Sequence, residues 1–258
     1  MLPGMSNRNP PPDVAPLIAV SVGDPALSAD PALAARKNDL YAAAIARHGG
    51  DPVLVSSAVP AAERDLVFVA MDGLLLTGGA DLDPALYGEA VNGATGLDPD
   101  RDELELVAWR EAERRGLPVY GVCRGLQAIN VFAGGSLMQD VPSHAGIPYG
   151  SGPAHTHALE LDPAGLIGRT VGAATLTVNT YHHQAISPDG LAPGLRANAW
   201  SESESGRLVE GFEGSGDRWI AGIQCHPERT ESTPAGFEAL WQAFVEAARV
   251  SAAVARAR

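Results

Sequence analysis

The sequence predicts an α/β fold with a mostly parallel central sheet, helices on both faces, and antiparallel strands in the C-terminal half. In the first half, short and wholly apolar strands alternate with helical segments, as in parallel sheets covered on both faces. From about Leu159 the pattern changes to strand-like segments joined by short turns. Such segments are typical of antiparallel pairing. The 258 residues, 45% of them hydrophobic, are enough for one large domain of this class.

The first half alternates strands and helices. We expect ordered structure to begin with the strand "LIAVSVG" at Leu17, because residues 1–16 are rich in proline and asparagine and are predicted to be a disordered lead. The next segments are the helix "LAARKNDLYAAAIARHGG", the strands "PVLV" and "MDGLLLTGG", the helix "RDELELVAWREAERRG" and the strand "PVYGV". Another helix is predicted directly after Cys123.

The second half is predicted to add antiparallel strands. The segments are "ATLTVNT", "LRANAWS", "RLVEGFEG" and "WIAGIQC", followed by an amphipathic helix in "PAGFEALWQAFVEAARV". The long irregular segment "HAGIPYGSGPAHTH" is expected to form a loop and a pocket wall. We interpret residues 17–250 as a single domain and 251–258 as a C-terminal tail.

Charge and composition exclude several classes of partner. The net charge of −13, from 31 acidic and 18 basic residues, argues against nucleic acid or an anionic membrane. The sequence contains no apolar run of about 18 residues, so no transmembrane helix is expected. With two cysteines and no secretory signal, we predict a cytoplasmic protein without a disulfide framework. Its expected partner is a small molecule, and a homodimer is left open.

Cys123 lies at the end of a predicted strand, in the sequence "GVCRG". A cysteine in this position is either a small buried apolar residue or a nucleophile. The glycines two residues before and after it, and the helix that follows, have the pattern of a nucleophile elbow. The free amides at the helix start would stabilise a thiolate and an oxyanion. These features favour the nucleophile.

A cysteine nucleophile needs a base. His226 ends the strand "WIAGIQC", as Cys123 ends its own strand, and ligands bind beyond the carboxyl ends of strands in open α/β sheets. Glu228, two residues later, could reach the imidazole and fix its tautomer. The pair therefore becomes a candidate base and orienting carboxylate.

Four sequence blocks together resemble a known family. They are "LLLTGGADLDPALYGE", "PVYGVCRGLQAINVFAGGSLMQDVP", "VNTYHHQAI" and "GIQCHPE". In this order they resemble the class I glutamine amidotransferase-like superfamily, and within it the γ-glutamyl-γ-aminobutyrate hydrolase family, the peptidase C26 group. The resemblance implies the flavodoxin-like class I amidotransferase fold. Two positions depart from the family pattern: Cys225 replaces a common tryptophan, and Thr180 a common serine.

The resemblance also implies roles for ten residues. It assigns catalysis to Cys123, His226 and Glu228, oxyanion binding to Gly79, Ala80 and Arg124, and substrate binding to Gln127, Asn179, Tyr181 and His182. The implied reaction is hydrolysis of a γ-glutamyl amide through a γ-glutamyl thioester, without a cofactor. Two alternatives stay open: a glutaminase subunit that supplies ammonia to a separate synthase, and a non-catalytic binding protein on the same fold.

The remaining histidines offer a possible metal site. "HTH" at residues 155–157 and "HH" at residues 182–183 are compatible with zinc ligation. Because no carboxylate or thiolate completes a recognisable ligand set, the sequence predicts no metal site.

Overall fold

A single sheet of nine strands forms the centre of the computed structural model, which describes residues 14–144 and 152–256. The strands are β1 (Leu17–Ser21), β2 (Asp51–Val55), β3 (Gly73–Leu76), β4 (Val119–Val122), β5 (His155–Leu161), β6 (Thr175–Thr180), β7 (Leu195–Ser203), β8 (Gly206–Gly214) and β9 (Ile220–Ile223). Their order across the sheet is β2-β1-β3-β4-β9-β8-β7-β5-β6. Strands β2, β1, β3, β4 and β9 pair in parallel, and β8, β7, β5 and β6 continue the sheet with antiparallel pairing.

Within residues 14–144 and 152–256, six α-helices cover the two faces of the sheet. They are α1 (Pro31–Arg47), α2 (Ala61–Ala70), α3 (Pro99–Arg115), α4 (Arg124–Phe132), α5 (Leu166–Val171) and α6 (Glu238–Arg256). Helices α1, α5 and α6 supply apolar side chains to the core on one face. Helices α2, α3 and α4 supply the core on the other face. The predicted fold class, with helices on both faces of a mostly parallel sheet, is confirmed.

The structure corrects several boundaries. Strand β5 begins at His155, inside the segment predicted as a loop; residues 145–151 of that segment lie outside the described part. Strand β5 and helices α2 and α5 were not predicted from the sequence. Helix α6 runs through residues 251–256, which were predicted as a tail, and Ala252 is buried against the core. Residues 1–13 of the predicted lead are also outside the described part.

The direction of β9 differs from the expected antiparallel arrangement. Val122 of β4 pairs in parallel with Ile223 of β9. The two strands therefore end at the same edge of the sheet, which places Cys123 and His226 side by side. Among the described helices, none combines the length and the apolar character that crossing a membrane requires.

Candidate active site

Cys123 occupies a strained turn between β4 and α4. Its φ is 54° and its ψ is −111°, and it has the single positive φ among the non-glycine residues in ranges 14–144 and 152–256. A Cβ atom on Gly121 would lie 2.5 Å from the carbonyl oxygen of Gly125, and one on Gly125 would lie 2.0 Å from that of Leu76. The flanking glycines are therefore required by close backbone contacts. A strained backbone of this kind is characteristic of nucleophile elbows.

His226 and Glu228 form a buried pair beside the elbow. The imidazole Nδ1 lies 2.7 Å from Oε1 of Glu228. A Cβ atom added to Gly78 would lie 2.8 Å from Cε1 of His226 and 3.6 Å from Cβ of Cys123, so the two side chains flank the same glycine. The structure thus brings together the three residues predicted for catalysis.

The electrostatics of the pair favour an imidazolium. Burial alone would lower the pKa of His226, but the Glu228 carboxylate and the nearby Cys123 side chain raise it to about 9. Burial would raise the pKa of Glu228, but the charge and hydrogen bond of His226 bring it below its ordinary value. The proton therefore resides on the imidazole, as a general acid requires.

Asn179 holds the backbone of His226. Its Oδ1 accepts a hydrogen bond from the His226 amide at 2.8 Å, and its Nδ2 donates to the His226 carbonyl at 3.1 Å. The same Nδ2 donates to the hydroxyls of Ser232 and Thr233. The carboxamide is fully buried. Asn179 therefore contacts the predicted base, whereas the resemblance had implied contact with substrate.

The predicted oxyanion turn is supported from behind by Arg101. Its guanidinium donates to the carbonyls of Gly78 at 3.1 Å and Thr77 at 3.0 Å. Because the carbonyl and amide of a trans peptide point in opposite directions, this bond directs the Gly79 amide away from Arg101. Gly79 and Ala80 both line the cavity that contains Cys123. Their role as oxyanion donors stays a prediction.

A buried charge network that the sequence analysis missed lies beneath this turn. The Arg124 guanidinium bonds to the carboxylates of Asp102 and Glu105, and Arg101 Nε donates to Glu105 at 2.9 Å. Although burial would raise the pKa of Glu105, the two arginines lower it. The four-residue spacing of Arg101 and Glu105 was a usable signal.

Among the described residues that line the cavity containing Cys123, only one of the four side chains predicted to bind substrate is present. The other three make contacts elsewhere. Gln127 Nε2 donates to the Gln184 carbonyl at 3.0 Å and to Gln224 Oε1 at 3.1 Å. His182 Nδ1 bonds to the same Gln184 carbonyl at 2.9 Å. Asn179 holds His226. Tyr181 is the predicted substrate residue that does line the cavity.

The cavity in front of Cys123 has a volume of about 710 Å³. This lies within the range of roughly 300–1,000 Å³ that is typical of small-molecule sites. Its lining includes charged residues from segments that were not connected with the site from the sequence: Asp24, Lys37, Asp98 and Arg229. The Arg229 guanidinium lies 4.1 Å from the centre of the Tyr181 ring, in a cation–π contact.

Comparison with known proteins identifies the family. The peptidase C26 family model matches residues 16–228, most of the chain. The chain belongs to the peptidase C26 family. This C26 chain is 30% identical over 222 residues to γ-glutamyl-γ-aminobutyrate hydrolase PuuD of Escherichia coli, covering 80% of this chain and 84% of that protein.

A second relative, from Mycobacterium tuberculosis, is provisionally named a glutamine amidotransferase. The identity is 38% over 183 residues, covering 67% of this chain and 56% of that protein. The C26 chain therefore spans little more than half the length of this relative. The family and these relatives support a glutamine amidotransferase-like hydrolase that acts on a C–N bond.

Solved structures support the fold. The glutaminase domain of Trypanosoma brucei CTPS, with bound acivicin, has a TM-score of 0.62 at 15% identity, covering 92% of this chain and 94% of that one. A Thermoplasma acidophilum protein, provisionally assigned to GMP synthase as one of its subunits, has a TM-score of 0.63 at 18% identity, covering 95% of this chain and 100% of that one. At these identities the likeness concerns the class I amidotransferase fold alone.

Proposed function

We propose that this protein is a cysteine-dependent hydrolase that cleaves the γ-glutamyl amide bond of small γ-glutamyl amines. The observation that carries the proposal is the strained elbow of Cys123 beside His226, which is hydrogen-bonded to Glu228. Membership of the C26 family and the similarity to the Escherichia coli hydrolase support the choice of bond.

The proposed reaction proceeds in two steps. The Cys123 thiolate attacks the γ-carbonyl carbon, and the oxyanion accepts hydrogen bonds from backbone amides at Gly79, Ala80 and Arg124. The His226 imidazolium donates its proton to the amine nitrogen as the C–N bond breaks, which leaves a γ-glutamyl thioester and a neutral imidazole. His226 then takes a proton from water, which attacks the thioester and releases glutamate and the thiolate.

The charged wall of the cavity suggests how the substrate is recognised. Lys37 and Arg229 supply positive charge for a carboxylate, and Asp24 and Asp98 supply negative charge for an ammonium group. A γ-glutamyl group carries both charges on its α-carbon. The cavity volume of about 710 Å³ is larger than a glutamine molecule, which favours a substrate with a longer amine.

The test is turnover by the purified protein alone. We expect a higher kcat/KM for an extended γ-glutamyl amide, such as γ-glutamyl-aminobutyrate or a γ-glutamyl polyamine, than for free glutamine, because the longer amine adds transition-state contacts. Acid quenching followed by mass spectrometry should show a γ-glutamyl adduct on Cys123. A preference for glutamine, or an adduct on another residue, would contradict the proposal.

The name of the Mycobacterium tuberculosis relative favours a second candidate, namely that the chain is the glutaminase component of a larger enzyme. Such a component would feed ammonia to a separate synthase. This candidate predicts that ammonia release from glutamine rises strongly when a partner from cell extract co-elutes in gel filtration. Full activity on an extended amide without any partner would exclude it.

A further inference from the structure

Three histidines and one glutamate meet in the antiparallel half of the sheet, apart from Cys123. His144 ends a short 3₁₀ turn, His157 lies on β5, His182 follows β6, and Glu210 lies on β8. One ligand atom from each of His144, His157 and Glu210 lies within 4.8 Å of the others. The His182 Nε2 atom lies 3.9 Å from Oε2 of Glu210. We call these four residues the histidine–glutamate cluster.

Hydrogen bonds set the tautomers of two of the histidines. The Nδ1 atom of His157 lies 3.0 Å from the carbonyl oxygen of Ala158, and that of His182 lies 2.9 Å from the carbonyl oxygen of Gln184. A carbonyl can only accept, so both Nδ1 atoms carry the proton. In the neutral rings the Nε2 atoms then carry lone pairs. The Nε2 atoms of His157 and His182 lie 3.7 and 3.9 Å, respectively, from the same oxygen, Oε2 of Glu210.

This arrangement leaves buried polar atoms without partners. Within the described residues, Nε2 of His157, Nε2 of His182 and Oε2 of Glu210 are buried and make no hydrogen bond. Glu210 is 0% exposed and His182 is 4% exposed. The other carboxylate oxygen of Glu210 is already satisfied by the Ser201 hydroxyl at 2.8 Å. Two imidazole lone pairs and a carboxylate oxygen that face one another inside a protein are unfavourable unless a proton or a metal ion lies between them.

The distances between the two Nε2 atoms and Oε2 of Glu210 favour a shared metal ion over a shared proton. A charge-assisted hydrogen bond would bring nitrogen and oxygen to about 2.7–2.9 Å. Two ligands bound to a tetrahedral metal at about 2.1 Å lie roughly 3.4 Å apart. The observed 3.7 and 3.9 Å are closer to the metal geometry. In addition, a histidine that ligates a metal usually donates its other ring proton to a carbonyl or carboxylate, as His157 and His182 do.

We propose that the histidine–glutamate cluster binds one divalent transition-metal ion, and that its donor set of imidazoles and one carboxylate selects Zn²⁺. His144, His157 and Glu210 supply three ligands. His182, whose ring centre lies 6.3 Å from that of His157, supplies the fourth after a shift of its ring toward the other three. Four protein ligands in a buried position make a closed, structural site.

The proposed site has a mechanical consequence for the active site. His182 is the third residue after Asn179, which holds the His226 backbone, and it directly follows Tyr181, whose ring lies 5.5 Å from that of His226. Binding of a metal at His182 would fix this segment behind the predicted base. Metal binding should therefore raise thermal stability first and affect turnover only through the position of His226.

The test measures metal binding directly, in untagged protein that carries Cys123→Ala so that the thiol cannot bind zinc. After removal of metal with a chelator, we expect titration with Zn²⁺ to show one tight site per chain and a higher melting temperature. Co²⁺ should give the absorption spectrum of a tetrahedral site without thiolate charge transfer. Zinc binding below one equivalent, or a melting temperature that does not change, would overturn the proposal.

Variants locate the site. His157→Gln and Glu210→Gln should each weaken Zn²⁺ binding by more than the roughly 10–100-fold that loss of an outer-shell partner costs. His183→Gln is the matched control, because its ring nitrogens bond to the carboxylates of Asp81 and Asp140 outside the cluster. Equal zinc affinity in all three variants would refute the assignment. If a ligand variant fails to fold, the Co²⁺ spectrum of the parent protein decides the question.

Discussion

The conformation of Cys123 separates its two possible roles. A small apolar residue in a core has no need of a positive φ, which costs a non-glycine residue about 1–2 kcal/mol. The chain adopts this backbone where a thiol meets a helix start and a histidine. Cys225 provides the contrast: it is buried in the core, and burial raises the pKa of its thiol well above the ordinary value.

The first prediction compares the two cysteines. Cys123→Ala should lower turnover of a γ-glutamyl anilide by about 10⁴-fold or more, because no nucleophile remains. Its circular dichroism spectrum should be unchanged. Cys225→Ala is the matched control and should stay active. Retained activity in folded Cys123→Ala would remove the basis of the mechanism.

The second prediction concerns the orienting carboxylate. Glu228→Gln keeps the size of the side chain but removes the negative charge that raises the pKa of His226. Turnover should fall by roughly 10²–10⁴-fold, as for orienting carboxylates in other triads. The pKa measured for His226 by NMR should fall as well. A loss below about threefold would show that Glu228 is a bystander.

The third prediction separates positioning from substrate binding at Asn179. If Asn179 holds His226, Asn179→Ala should lower kcat and change KM little, because the hydrogen bonds at 2.8 and 3.1 Å go to the His226 backbone. If the side chain binds substrate, as the resemblance implied, KM should rise instead. Steady-state kinetics on one γ-glutamyl amide distinguish the two outcomes.

At the scale of elements, the sequence predicted the parallel half better than the antiparallel half. Strands such as β3 and β4 are wholly buried, so continuous apolar runs reveal them. Strand β5 exposes most of its first four residues, and its histidines resemble a polar loop. The direction of β9 depends on pairing with β4, which lies about 100 residues earlier. Local sequence carries no information on that choice.

The same limit explains which site residues could be predicted. Cys123, His226 and Glu228 lie in short motifs that carry their own signal. Glu210 reaches the histidine–glutamate cluster only because β8 lies beside β7 and β5 in the folded sheet. No spacing in the chain relates it to His157. A site assembled from separate strands has no local signature in the sequence.

The fourth prediction tests the contact between helices α3 and α4. Arg124→Met should destabilise the protein by about 3–5 kcal/mol, because it leaves the buried carboxylates of Asp102 and Glu105 without their main partner. The control is Arg114→Met on α3, whose side chain is 69% exposed and pairs with Glu111. Loss of an exposed pair costs about 0–1 kcal/mol. Urea unfolding of both variants makes the comparison, and equal effects would mean that the buried network contributes little.

At the scale of the whole molecule, the site depends on strands that are distant in sequence but end together. Cys123 follows β4, His226 follows β9, and Gly78 follows β3, and these three strands are neighbours in the sheet. The charged residues of the cavity lie on α1, just before α3, and in the segments that follow β1 and β9. Folding of the parallel half therefore assembles the nucleophile, the base and the turn in one event, so activity and global stability should be lost together on unfolding.

The fifth prediction follows from this coupling and concerns pH. The pKa of His226 rises on folding from an ordinary value of 6.5 to about 9, so folding takes up a proton there. The stability that this group contributes is fully present below about pH 6.5 and is lost as the pH rises through about 9. Glu228 has a lowered pKa, so its contribution is present above its ordinary value of 4.5 and is lost as the pH falls below that value.

Urea unfolding between pH 6 and about pH 10 should therefore show a falling free energy of unfolding. In His226→Gln the part of this fall that belongs to the histidine should disappear, and a wild-type curve parallel to that of the variant would show that His226 and Glu228 do not form a charged pair in the folded protein.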